Sequence, residues 1–190
     1  PADAPTVAGL LHDAGWRTGL FGKAHFEPFL DPFLRFPQNR MGVSGTTDDD
    51  GRPYRGFDRM EFAGHGSAGL FHFGGWLREN HPEHLGSFYP ALDATLDVNS
   101  AGGGDTGAPQ VHRNEAPPEA YHTGWVADRA MGWLDGLSDD DDWFCWLSFP
   151  DPHHPWDPPA SELHRVPWRD LDLPAGYPVD RGEREAALDT

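Results

Sequence analysis

Apolar residues in the first stretch of the chain follow two different periods in turn. Val7, Leu10, Leu11 and Ala14 recur at i, i+3, i+4 and i+7, the spacing of one helix face. Pro5 suits a first turn, Asp3 or Ala4 the cap region and Gly15 the stop, so a helix is predicted over residues 5–15. Trp16-Arg17-Thr18-Gly19-Leu20-Phe21 then reads as a short strand that runs into Gly22-Lys23-Ala24-His25. The same succession returns later. Val126, Ala130, Trp133, Leu134 and Leu137 make an amphipathic helix face behind Thr123, a suitable N-cap. Asp139 to Asp142 form a solvated acidic turn. Trp143-Phe144-Cys145-Trp146-Leu147 follows as an uninterrupted apolar run, predicted to be a strand buried on both faces.

From about Phe26 to Ala120 the pattern weakens. Gly, Pro, Asp and isolated aromatics dominate, with Gly102-Gly103-Gly104 and Pro117-Pro118 as breakers. This reads as a long insertion of loops and short helices, with one or two helical turns over Arg78 to His84. A structureless loop of that length does not suit a compact domain, so part of it must pack or cover the sheet. The two helix-then-strand units predict an α/β fold, a three-layer sandwich in which the strands ending near Phe21 and Phe149 share one sheet.

In an open α/β sheet, ligands bind beyond the carboxyl ends of the strands, and both predicted strands end in titratable groups. Lys23 and His25 follow the first. The second leads into Ser148-Phe149-Pro150-Asp151-Pro152-His153-His154-Pro155-Trp156-Asp157-Pro158-Pro159, whose five prolines present two histidines on a stiff frame. A Lys with a neighbouring His can hold an anionic ester and share its developing charge. On spacing alone, a surface Lys and a packed His account for the same residues. His153 and His154 suit a general acid, an anion ligand or metal ligands; a His packed against Trp156 in a proline-rich turn is the alternative. On an extended chain the two rings point in opposite directions, which sends His154 to the pocket rim.

Composition narrows the reading. Hydrophobic content is 37%, but 8 Trp and 12 Phe supply large apolar side chains, which argues for a packed domain rather than disorder. A net charge of -17 argues against nonspecific binding to nucleic acid or anionic membranes. No stretch approaches the roughly 20 apolar residues of a membrane span. The charge leans toward a soluble, cytoplasmic protein. Pro1 and the helix-like Gly182–Thr190 read as internal to a longer chain, so the compartment rests on what precedes Pro1. Cys145 is the single cysteine, read as a buried structural thiol. Asp48-Asp49-Asp50-Gly51 fails as a calcium loop because Phe57 occupies the closing Glu position. His65, His72, His81, His84, His112 and His122 show no zinc-type spacing. Gly22-Lys23 is no phosphate loop, since Arg17 and Ala24 stand where Gly and Ser or Thr are needed.

Pro5-Thr6-Val7-Ala8-Gly9-Leu10-Leu11 through Gly22-Lys23-Ala24-His25 resembles the sulfatase segment T-x-A-x-x-L-x-x-x-G-Y-x-T-x-x-x-G-K-W-H. Gly56-Phe57-Asp58 is similar to the G-F-D that follows it, and Pro152-His153-His154-Pro155 to the later P-H-x-P element, all in the family order. The resemblance implies a sulfatase of the alkaline-phosphatase-like superfamily with a mixed, mainly parallel sheet. Residues 1–190 would be part of one catalytic domain that hydrolyses a small-molecule or carbohydrate sulfate ester. It further implies that Lys23 contacts the modified nucleophile and the sulfate. His25 would hold a hydroxyl of the hydrated nucleophile. His153 would contact the sulfate near the leaving oxygen, with His154 at the variable position of the substrate pocket. The family's cofactors are a formylglycine and a divalent cation such as Ca2+. The C-x-P-S-R nucleophile motif and the metal-binding carboxylates are absent, and Ala24 replaces the usual Trp. The chain alone is therefore expected to be inactive. A Ser or Thr nucleophile elsewhere would make it a phosphonate monoester or phosphodiester hydrolase. The aromatic content leaves a non-catalytic carbohydrate-binding module as a reading of another class.

Overall fold

The computed structural model of the chain describes residues 4–27, 54–64, 71–88, 111, 113–154, 156–167 and 170–172. The expectations for Asp3, Asp48–Gly51, Gly102–Gly104 and 182–190 lie outside these residues. Helix α1 (Val7–Asp13) leads to strand β1 (Arg17–Gly22), and strand β2 (Arg59–Phe62) precedes helix α2 (Phe71–Asn80). Helix α3 (His122–Leu134) then leads to strand β3 (Trp143–Ser148). The three strands form one parallel sheet in the order β2-β1-β3. The fold is thus α/β, and the strands ending near Phe21 and Phe149 do share a sheet.

Successive residues of β1 point to opposite faces, and each face has its own core. Leu20 packs with Ala8 of α1 and with Phe57, Met60, Phe62 and Phe71. Phe21 packs with Phe73 and Leu77 of α2 and Trp125, Val126 and Ala130 of α3. Helices therefore cover both faces of the sheet at β1.

Local chemistry explains the element ends. Thr6, not Ala4, caps α1: its Oγ1 accepts the Gly9 N–H at 2.9 Å and donates to the Arg55 carbonyl at 2.7 Å. Gly15, at φ +93°, stops the helix as predicted, with Gly15 N–H on His12 O at 2.8 Å and Trp16 N–H on Leu11 O at 3.0 Å. The predicted apolar face of α1 is not the buried one. Ala8 is buried, whereas Val7 and Leu10 are 64% and 63% exposed.

Three further expectations change. β3 is an edge strand among the described residues, and Trp143, Trp146 and Leu147 are exposed. An apolar run reports a strand's capacity for burial and says nothing about whether a neighbour is present to supply it. α3 begins at His122 with Tyr121 at its cap, and the Thr123 hydroxyl is directed to Asp151 instead. The expected insertion of loops and short helices contains the parallel strand β2, and its helix runs over Phe71–Asn80 before a 3-10 segment, Pro82–Ser87.

Candidate active site

The carboxyl ends of β1 and β3 lie side by side. Gly22 is the register partner of Ser148, and the Lys23 N–H extends the pairing to the Ser148 carbonyl at 2.7 Å. On the other side, the Ala63 N–H reaches the Gly22 carbonyl at 3.0 Å. Only glycine fits here: φ is +99°, and a Cβ would stand 1.8 Å from the Ser148 oxygen. The Gly of the Gly-Lys pair thus lets two strand ends close together directly before Lys23.

Lys23 is half-buried, and that burial pulls its ammonium below the usual lysine range. The Trp146 indole N–H donates to its carbonyl at 3.4 Å. Ala24 packs against the core shared by α1 and β2, and His25 is exposed. The Phe26 ring stacks on Phe57 and meets Trp146 edge-on. Beside it, buried Glu27 pairs with Arg55 at 3.1 Å.

The Gly56-Phe57-Asp58 segment serves β1 structurally. The Thr18 hydroxyl donates to the Gly56 carbonyl at 2.7 Å and accepts the Asp58 N–H at 3.0 Å. Asp58 Oδ2 accepts the Thr18 N–H at 3.1 Å, and His12 Nε2 lies 3.3 Å from Asp58 Oδ1. Gly56, at φ +89°, lies so close to α1 that a Cβ would be 2.2 Å from the Gly9 nitrogen.

Past β3 the chain turns at Asp151–His154. The extended-chain picture of the two histidines does not hold. Their rings sit 4.1 Å apart, both residues are exposed, and His153 Nδ1 lies 2.6 Å from the His154 carbonyl. The His153 N–H closes the turn on Pro150 O at 3.1 Å, and the Trp156 indole N–H closes on Pro152 O at 3.0 Å.

Sequence reasoning missed the polar cluster beneath this turn. Asp157, fully buried, accepts from Asn114 Nδ2 at 3.2 Å and lies 3.4 Å from the Tyr121 hydroxyl. Asp151 accepts from Thr123 Oγ1 at 3.2 Å and lies 3.5 Å from the same Tyr121 hydroxyl. Burial raises the Asp157 carboxyl to about 7, opposed by its hydrogen bond from Asn114 and reinforced by the charge of Asp151. Burial also lowers the His122 imidazole, against the pull of Asp151 at 3.8 Å. One signal was present in the sequence: Asp151-Pro152 and Asp157-Pro158 bracket the histidines as two turn-forming Asp-Pro pairs.

Among the described residues no group of three or more His, Cys, Asp or Glu side chains is placed to hold a metal ion, and no helix is long and apolar enough to cross a membrane. Comparison with protein families, with curated proteins and with solved structures finds no match to this chain.

Proposed function

We propose that this chain forms part of the anion pocket of a sulfuric ester hydrolase of the alkaline-phosphatase-like type, with Lys23, His25 and His153 as its working groups and His154 at the substrate rim. The observation that carries the reading is the pairing of Gly22-Lys23 with Ser148 at the carboxyl edge of the sheet. It starts the Gly-Lys-x-His segment and the Pro-His-x-Pro loop from adjacent strand ends, where α/β folds bind ligands. In this reading the Lys23 ammonium balances the charge of the ester oxygens. Partial desolvation strengthens that contact, because a charge pair is worth more where water is scarce. His153 stands as general acid: it would give a proton to the ester's leaving oxygen as a nucleophile from outside the described residues bonds to sulfur and the S–O bond breaks, so that the alcohol departs.

The described residues do not fit the family's divalent cation, since no suitable donor group is assembled among them. Cys145 does not fit the formylglycine position either. It lies within β3, packs against the core under α3, and burial raises its thiol.

The test is turnover by the full-length protein of 4-nitrophenyl sulfate and of bis(4-nitrophenyl) phosphate. Aryl sulfate is expected to be the better substrate. Lys23→Ala and His153→Ala should each lower kcat by about 10²-fold with folding intact, the usual scale for one lost charge-stabilising donor. Preference for the phosphodiester would move the assignment to the phosphonate and phosphodiester hydrolases. No turnover of either, together with binding of oligosaccharides, would replace it with a carbohydrate-binding module.

A further inference from the structure

His153 is exposed on a short turn, so its position relative to Lys23 depends on what holds the ends of that turn. At the entry, Asp151 is gripped by Thr123 Oγ1 at 3.2 Å, with the Tyr121 hydroxyl at 3.5 Å. At the exit, Asp157 is gripped by Asn114 Nδ2 at 3.2 Å, with the same hydroxyl at 3.4 Å. Asn114 also ties the backbone there: its N–H donates to Pro158 O at 3.1 Å, and its carbonyl accepts the Ala160 N–H at 2.8 Å. Its Oδ1 accepts the Ala116 N–H at 2.9 Å, so the amide is held at both ends.

Tyr121 and Thr123 belong to the start of α3, and α3 is itself docked on β1. Trp133 meets Phe21 with ring centroids 5.6 Å apart, and the Val126 methyl lies 3.1 Å from where a Gly22 Cβ would be. One helix therefore packs against the residue before Lys23 and also holds the carboxylate two residues before His153. The Tyr121 ring cannot swing away easily, being stacked on Phe88 and lying 4.0 Å from the His122 ring.

We infer that Tyr121, Thr123 and Asn114 are positioning residues: they clamp the two aspartates that bracket the His153–His154 turn and so fix where His153 is presented relative to Lys23. The clamp stands on the geometry alone. Its catalytic consequence rests on the sulfatase reading, so the two are tested by separate readouts.

The experiment uses the full-length protein with Tyr121→Phe and Thr123→Val, which keep the side chain's bulk, and with Thr123→Ser, which keeps the hydroxyl. Peptide-resolved hydrogen exchange over 149–160 is compared with exchange over β1 and α3, and kcat and KM are measured on 4-nitrophenyl sulfate. Tyr121→Phe and Thr123→Val should speed exchange in 149–160 by about five- to tenfold, the scale of one lost hydrogen bond, while β1 and α3 keep their rates. Thr123→Ser should restore the wild-type rate. Turnover should fall about tenfold in kcat with KM within about threefold, as for a group that acts on the transition state through another. Unchanged exchange in 149–160 would overturn the clamp, as would acceleration spread evenly over the whole fold. Faster exchange with unchanged kcat would overturn the positioning role. Localised exchange changes in a protein that does not turn over aryl sulfate would uphold the clamp and remove the sulfatase reading instead.

Discussion

The chain end that carries Lys23 and the turn that carries His153 leave neighbouring strands of one sheet, yet they are held by opposite means. Around Lys23 the fixing is backbone against backbone. Gly22 and Gly56, both at positive φ, let β1 meet Ser148 and let the 54–58 turn meet α1 with no space for a methyl group. Around His153 the fixing is by side chains, with two carboxylates, a tyrosine, a threonine and an asparagine doing what the glycines do elsewhere. The difference has consequences. A steric fit is all or none and indifferent to pH, because bare backbone has nothing to titrate. A polar clamp weakens in steps, one hydrogen bond at a time, and it responds to protons.

The largest expected effect follows from the steric side. Gly22→Ala puts a Cβ 1.8 Å from Ser148 O at a φ that L residues avoid. Either the strands part or the residue strains, and a loss of about 4 kcal/mol or more is expected. Gly132→Ala makes the sharp contrast, since this α3 glycine has nothing within 4 Å of its would-be Cβ. There the substitution should stabilise by roughly 0.5–1 kcal/mol through helix propensity. Urea unfolding of both variants measures the difference. A Gly22→Ala protein within about 1 kcal/mol of wild type, the ordinary range of point substitutions, would mean that steric closure does not hold the Lys23 side.

Thr18 gives the next effect, because it adds a polar latch to the steric region. Thr18→Val leaves the Gly56 carbonyl and the Asp58 N–H without the buried hydroxyl that joins them at 2.7 and 3.0 Å. The expected loss is about 2–3 kcal/mol, and Thr18→Ser should recover most of it. Equal stability of the Val variant would show that the glycine contacts alone suffice.

The same contrast explains how much was legible in the residue order. α1, β1, α3 and β3 followed from apolar periodicity, and Gly15 marked its helix stop by its backbone freedom. β2 was overlooked because Arg59-Met60-Glu61-Phe62 offers only two apolar positions. The edge position of β3 was invisible for another reason: Trp-Phe-Cys-Trp-Leu reads alike with one neighbour or two. At the candidate site, Lys23, His25 and His153 stood out because each follows a strand in a short motif. Tyr121, Thr123 and Asn114 did not, because their partners Asp151 and Asp157 lie 28 to 43 positions away and only folding brings them together. The capping signal of Thr123 also misled, since its hydroxyl satisfies a carboxylate across the fold and not its own helix.

The last effect is a slope and not a single loss, and lies in the pH dependence of stability. Asp157 has its carboxyl raised from the usual 3.8 to about 7 by burial. Between those values the folded chain keeps a proton that the unfolded chain has released. Its contribution is therefore complete below the usual carboxylate value and is lost as pH rises toward 7. His72 works the other way. Burial lowers it from 6.5 to about 4, against the charge of Glu61 and with that of Arg59, so its contribution is lost as pH falls through that window. His122 is lowered in the same direction. Each proton counts for at most about 1.4 kcal/mol per pH unit. For these three groups, two histidines outweigh one aspartate below pH 6.5, so stability rises with pH there. Above pH 6.5 only the fall due to Asp157 remains, up to about pH 7. The chemistry behind that fall is the burial of the Asp157 carboxylate, reinforced by the charge of Asp151 and opposed by the hydrogen bonds from Asn114 and Tyr121. Asp157→Asn removes the titrating carboxyl, and its amide oxygen can still accept from Asn114 Nδ2. Urea unfolding from pH 4.5 to 8 should then show a steeper rise below pH 6.5 and a flat line above it. A variant whose profile overlays that of the wild type would place the titration elsewhere and remove the proton response from the clamp.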